Sequence, residues 1–193
     1  MMPPEILPGR ACDGCTLCCK VMSITELAKP QGAWCRHCAI GSGCKIYDER
    51  PHECRHFYCG YLTWPMAEDH WRPAKSKMVI VSELGGTRVG VHVDPGKPMA
   101  WRDEPYYSDL KDWARHAAMS MMQVVVCIGR RTHVILPDRD VDLGIVEDDE
   151  RIISWEVRSS QGTEIRAEKL KADDPRIAGM TPGKVFKPSK PVI

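Results

Sequence analysis

Outside residues 12–59, cysteine is almost missing from this chain of 193 residues: only Cys127 lies beyond that window. Excess charge is missing too, since 27 Lys and Arg face 26 Asp and Glu for a formal net charge of +1. Surfaces that grip phosphates or anionic bilayers concentrate basic residues, so a nucleic-acid partner is disfavoured. No long apolar run occurs. The longest stretch, Val124 to Ile128, falls far short of the roughly 18 residues that begin to suggest a membrane span, and no membrane partner is expected. Met1 to Arg10 has neither a basic start nor a useful apolar stretch. No secretory signal is read there, and a cytoplasmic protein with reduced thiols is expected. The chain also lacks a Gly-x-Gly-x2-Gly turn, a phosphate-binding loop and a Gly-x-Ser-x-Gly elbow, which removes the commonest nucleotide-binding and acyl-transfer signatures. Internal repeats are absent.

What is present is concentrated. Nine of the ten cysteines fall between Cys12 and Cys59. They run Cys12-Asp-Gly-Cys15-Thr-Leu-Cys18-Cys19, then Cys35-Arg-His-Cys38, then Cys44, Cys54 and Cys59. Two cysteines three positions apart converge through a tight turn on one cation, and thiolates hold zinc or iron tetrahedrally at short range. Disulfides are the lesser reading in a reducing compartment. Adjacent side chains point in different directions, so Cys18 and Cys19 more easily serve two sites than one. Eight ligands then suggest two zinc ions, on Cys12, Cys15, Cys18, Cys19, Cys35, Cys38, Cys44 and Cys54, with Cys59 in reserve. Iron, or an iron-sulfur cluster, uses the same ligand type, and spacing alone does not separate these thiophilic metals.

At these residues the sequence resembles the YkgJ-type cysteine-cluster family, described as a zinc- or iron-chelating domain. The pattern is Cys-x2-Cys-x2-Cys-Cys, a later Cys, Gly-x-Cys-x-Ile-Tyr and Arg-Pro-x2-Cys-Arg. Cys12, Cys15, Cys18 and Cys19 meet the opening, Cys35 or Cys38 the later cysteine, and Arg50, Pro51, Cys54 and Arg55 the last element. In the middle element Cys44, Ile46 and Tyr47 are in place, but Ser42 stands where the pattern has glycine, between Gly41 and Gly43. The resemblance spans roughly a quarter of the chain and implies metal binding there; a shared local pattern implies little about the rest.

Two other chemistries use the same stretch. Cys12-x2-Cys15-x2-Cys18 opens like a bacterial ferredoxin motif, although no Cys-Pro follows to finish it; an iron-sulfur redox protein or enzyme component is therefore the alternative function. His52-Glu53-Cys54-Arg55-His56 matches the His-Glu-x2-His motif of zinc hydrolases, but the third ligand is not evident. Residues i and i+4 share a helix face that excludes Cys54, so His52 and His56 are expected to face solvent if Cys54 faces the metal. No catalytic residue is assigned, and whether the chain is an enzyme stays open. Besides the metal ion, no partner is specified.

The expected fold is α+β, with a small cysteine-rich metal module (residues 1–74) packed with a mixed antiparallel sheet and one main helix (residues 75–193). A helical turn is read near Ser23 to Ala28, loop over Trp34 to Gly43, and a short helix capped by Asp48 with Pro51 in its first turn. A hairpin follows over Met78–Val81 and Arg88–Val93, turning at Gly85-Gly86. Leu110, Trp113, Ala117 and Met121 recur at helical spacing between Pro105 and Met122. Val124–Ile128 and Thr132–Leu136 read as a second hairpin, with further strands at Ile152–Val157 and Thr163–Ala167. Cys127 reads as a small core residue, Glu147 to Glu150 as a solvated turn, and the chain after Asp174 as an extended tail.

Overall fold

The computed structural model describes residues 4–120, 122–160 and 162–180, and the backbone of 185–186. These form an α+β fold with one five-stranded sheet, one three-stranded sheet and one small two-stranded pair. Two compact units are present. Among the described residues, one comprises 4–81 and 91–106, the other 82–90, 107–120, 122–160 and 162–180 with 185–186.

The first unit holds the cysteine-rich segment on short elements: α1 (Cys18–Val21), β1 (Cys38–Ala39), β2 (Gly43–Cys44), α2 (His52–His56), α3 (Gly60–Thr63) and α4 (Pro73–Ser76). The turn expected near Ser23 to Ala28 is a 3-10 turn at Thr25–Leu27, ended by Ala28 in the left-handed region with φ 47°. The loop expected from Trp34 to Gly43 contains a miniature hairpin, β1 against β2. Two residues per strand are too few for alternation to reveal. Pro51, not Asp48, occupies the cap position of α2, and no side chain caps that helix. Proline suits a helix start because its missing N–H would be unpaired there anyway.

Leu17, Val21, Met22, Tyr61, Leu62 and Val79 form the unit's apolar core with Cys59, and Cys15 and Cys18 pack against it. Full burial of each large apolar side chain contributes about 1.5–3 kcal/mol. Trp71, fully buried, meets the Tyr106 ring edge-on at 5.1 Å. Gly60 starts α3 where a Cβ would meet Ile80 at 3.0 Å and Trp64 at 3.2 Å, so only glycine brings that turn flush against its neighbours. Arg10 fastens the early chain by donating to the carbonyls of Tyr61 (2.6 Å) and Trp64 (2.8 Å).

The sheet begins with β3 (Met78–Glu83) and β4 (Arg88–Val93), the expected first hairpin, whose base belongs to the first unit and whose tip belongs to the second. It continues through β5 (Gln123–Ile128), β6 (Arg131–Ile135) and β7 (Asp140–Ile145), in the order β3-β4-β5-β6-β7. β5 and β6 pair antiparallel, as do β6 and β7. The main helix α5 spans Tyr106–Met119 and buries Leu110, Trp113, Ala114 and Ala117; Met121 lies outside the described residues.

In the second unit, β8 (Glu150–Ser159) and β9 (Gly162–Lys171) form a ten-residue antiparallel hairpin flanked by β10 (Val185–Phe186). Val125, Cys127, Val134, Leu136, Val146 and Ile152 make the core. Cys127 is buried there, 3.8 Å from the Thr132 hydroxyl. The buried Arg88 pairs with Glu83 at 2.8 Å, and Lys111 pairs with Asp140 at 2.6 Å. The acidic run at residues 147–150 is a turn in which Glu150 accepts from the Glu147 N–H, while Lys169 and Lys171 pair with it from β9. The tail expected after Asp174 opens instead with a helical turn, α6 (Pro175–Ala178), because the Asp174 carboxylate accepts from the Arg176 N–H. Residues 181–184 and 187–193 lie outside the described residues.

Candidate metal centre

Each cysteine pair is presented by a turn whose backbone bond explains its geometry. The Cys15 N–H donates to the Cys12 carbonyl at 2.7 Å, and the Cys38 N–H to the Cys35 carbonyl at 3.0 Å. Each bond closes a three-residue step, and both members of each pair border one cavity. Asp13 and Gly14 make the first turn with φ of 42° and 71°, a region where glycine is at ease. Gly14 has a second reason to be glycine. A Cβ there would sit 2.7 Å from the Gly41 carbonyl oxygen, so the first turn is seated directly on the loop between β1 and β2. The Gly41 N–H strengthens the seating by donating to the Thr16 hydroxyl at 3.1 Å.

Other elements bring in the remaining thiols. β1 and β2 place Cys38 directly opposite Cys44, and opposed residues of an antiparallel pair share a face. α1 carries Cys18 and Cys19, with the Cys19 carbonyl accepting the Cys35 N–H at 2.9 Å. α2 supplies Cys54, and Cys59 stands at the cap of α3. The result is a cavity of about 440 Å³ bordered by all nine clustered cysteines. Cys127, in the second unit, is not among its walls. Among the described residues, no three His, Cys, Asp or Glu side chains form a ready-made ligand group for a metal ion. A staggered side chain that changes rotamer moves a cysteine sulfur by about 3 Å, so the walls supply thiols rather than a finished coordination sphere.

The thiols are not electrostatically alike. Cys19 is pulled down to about 6, first by a hydrogen bond from Cys18 and also by one from Cys38 and the nearby Lys29 ammonium. Its partner Cys18 holds its proton well above the ordinary value, because that proton is donated to Cys19 and because the site is buried. Burial pushes Cys38, Cys54 and Cys59 up to about 11. A buried thiolate without a counter-cation is costly, so most of these groups keep their protons until a cation displaces them.

Lys29 is the cation sequence reasoning missed. Its side chain is buried, and its ammonium donates to the carbonyls of Lys20 (3.0 Å), Met22 and Pro30 (3.0 Å). Among the described residues no carboxylate pairs with it; burial lowers its proton affinity while the thiols of Cys35 and Cys19 raise it. No periodicity marks such a residue in sequence.

His52 and His56 are exposed on α2, with rings stacked at 4.0 Å between centroids. His56 Nδ1 lies 2.9 Å from the His52 carbonyl. Neither borders the cavity, whereas Cys54 does. Between them, the Glu53 carboxylate accepts from the Glu26 N–H at 3.3 Å, and the Glu53 N–H donates to the Glu26 carboxylate at 2.9 Å. His37 does border the cavity.

No protein-family model matches the chain, and neither a curated protein nor a solved structure is significantly similar to it. Among the described residues, no helix is long and apolar enough to cross a membrane.

Proposed function

We propose that the protein binds thiophilic metal, zinc or iron, through Cys12, Cys15, Cys18, Cys19, Cys35, Cys38, Cys44, Cys54 and Cys59. The observation that carries this reading is the convergence of all nine on one cavity. Such crowding of thiols, several of them holding protons against their ordinary tendency, is offset if a cation completes it, because thiolate coordination then returns the free energy that the crowding costs. The buried Lys29 ammonium, whose proton affinity the thiols of Cys35 and Cys19 raise against the effect of burial, supports an anionic loaded state. The resemblance of the cysteine pattern to a chelating family points the same way and rests on the motif alone.

An iron-sulfur cluster is the second reading, favoured by a cavity of about 440 Å³, far roomier than one ion needs. The zinc-hydrolase reading of His52-Glu53-x2-His56 is not adopted, because Glu53 is engaged with Glu26 and the helix has only five residues. Anaerobic purification followed by assay of zinc, iron and acid-labile sulfide tests the reading. One or more metal equivalents per chain are expected; a colourless, metal-free protein that takes up neither ion on reconstitution would sink it, and a brown, sulfide-bearing protein would select the cluster.

A further inference from the structure

The cavity wall is not uniform: Cys15, Cys18 and Cys59 pack on the apolar core, while Cys35, Cys38 and Cys44 belong to the segment that carries the β1–β2 hairpin. We propose that they form two distinct positions for thiophilic divalent cations, one held by Cys12, Cys15, Cys18 and Cys59, the other drawing its four ligands from Cys19, Cys35, Cys38, Cys44 and Cys54. The proposal rests on the metal-binding reading above and specifies what that site takes: two separately held ions rather than one polynuclear core.

The partition begins at Cys18 and Cys19. Successive residues of a helix are rotated by about 100°, so Cys18 and Cys19 leave α1 in different directions, with their thiols still in hydrogen-bond contact where the two groups meet. Cys18 goes with the apolar core, where Cys15 and Cys59 also pack against Leu17, Leu62 and Val79. Cys12 joins them through the 2.7 Å turn that makes it the partner of Cys15. Cys19 goes the other way. Its carbonyl accepts the Cys35 N–H, the Cys35 carbonyl accepts the Cys38 N–H, and Cys38 faces Cys44 across the miniature hairpin. Cys54, which borders the same cavity from α2, is assigned to this side, whereas Cys59 belongs to the apolar core beside Cys15 and Cys18.

The surroundings of the two groups differ as well. The first has four thiols, three of them on the apolar core and Cys12 exposed near the Arg50 guanidinium, which matches the four ligands of a closed tetrahedral site. The second has five thiols and the Lys29 ammonium nearby. A divalent ion on four thiolates carries a formal charge of −2, and the ammonium offsets part of that for the second ion. Binding in either position is a balanced exchange in which the cation enters and each ligating thiol that still holds a proton releases it to solvent.

The test titrates the full reduced chain with Co²⁺ without oxygen and counts tetrathiolate equivalents from the visible and sulfur-to-metal charge-transfer bands. Two equivalents are expected for the wild type. Cys59→Ser and Cys35→Ser/Cys38→Ser, which leaves the second group only three thiols, should each keep one, and Cys15→Ser/Cys59→Ser, confined to the first group, should also keep one. Cys35→Ser/Cys38→Ser/Cys59→Ser, which spans both, should keep none. The equivalent retained in each one-group variant reports that the other group is folded. Electron paramagnetic resonance of the unmutated protein guards against variants that fail to fold: its signal at two equivalents should be twice that at one. Loss of that signal through coupling of thiolate-bridged ions overturns the partition, as does a Cys59→Ser protein that keeps both equivalents or a folded one-group variant that loses both. A wild type that takes up no Co²⁺ sinks the metal-binding reading itself.

Discussion

Replacing Gly14 by alanine tests how the site is built, and the structure supplies its own control. Gly14 and Gly41 both sit in the left-handed region, at φ 71° and 75°, so an alanine at either pays the same conformational cost of about 1–2 kcal/mol. They differ in space. Around Gly41 a Cβ meets nothing within 4 Å, whereas at Gly14 it falls 2.7 Å from the Gly41 oxygen. That oxygen belongs to backbone and has no rotamer to give, so Gly14→Ala must lift the first cysteine turn from the β1–β2 loop, an overpacking cost of about 1–3 kcal/mol beyond the shared term. With a urea dependence near 2 kcal/mol per molar for a protein of this size, the difference is about 1 M in midpoint. The assay is urea-dependent alkylation of the reduced, chelator-treated protein, counted by mass spectrometry; nine of the ten thiols lie in the first unit and report on it. Gly14→Ala should unfold about 1 M earlier than Gly41→Ala and bind metal more weakly. Equal midpoints would refute the seating of the first turn on that loop.

Metal affinity should fall steeply with acid, because Cys18 and Cys59 hold their protons above neutrality and must release them on binding; log affinity of the first group should drop by about 2 or more per pH unit below pH 8, measured by competition with a chelator of known protonation. In the metal-free protein Cys19, pulled down to about 6 by the proton of Cys18, should be alkylated fastest at pH 7 and lose its lead as pH falls through 6, while Cys54, pushed up to about 11, stays slow; the site of first labelling by mass spectrometry checks this. Lys29→Met should weaken metal binding at least tenfold, since it leaves three carbonyls without their donor and removes a positive charge that acts on Cys19; unchanged chelator competition would contradict the role given to the ammonium. His52→Ala/His56→Ala should keep full metal content and affinity whereas Cys54→Ala should weaken binding in the second group, and the reverse would restore the hydrolase reading.

The cysteine spacing carried most of the candidate site, because a turn closed by an i to i+3 bond is a local device and writes itself into sequence as Cys-x2-Cys. Cys59 was legible only as a spare thiol, since its place beside Cys15 depends on α3 folding back on the core, a long-range event. Lys29 was invisible for the same reason. In the sheet, α5 and the β3–β4 and β5–β6 hairpins follow from period and turn residues. Strand β7 does not: Asp140, Asp142 and Gly144 interrupt its pattern, and the Asp142 carboxylate accepts from the Gly144 N–H. The strands β8 and β9 run longer than their apolar stretches because cross-strand ionic neighbours, such as Glu150 with Lys169 and Lys171, continue the ladder where hydrophobicity stops.

The ion pair between Lys20 and Asp94, 2.6 Å long and mostly shielded from water, has a practical consequence for anyone wishing to transplant the cysteine cluster. Lys20 follows directly after Cys19, yet its carboxylate lies 74 positions further along, beyond the β3–β4 hairpin. A fragment cut at residue 74 would leave that ammonium without its partner and strip Val79 from beneath Cys59. The cluster is contiguous as text but not as an object. To be moved into another scaffold it must be carried together with its distant return segment, residues 91–106, or be reconstituted from two peptides.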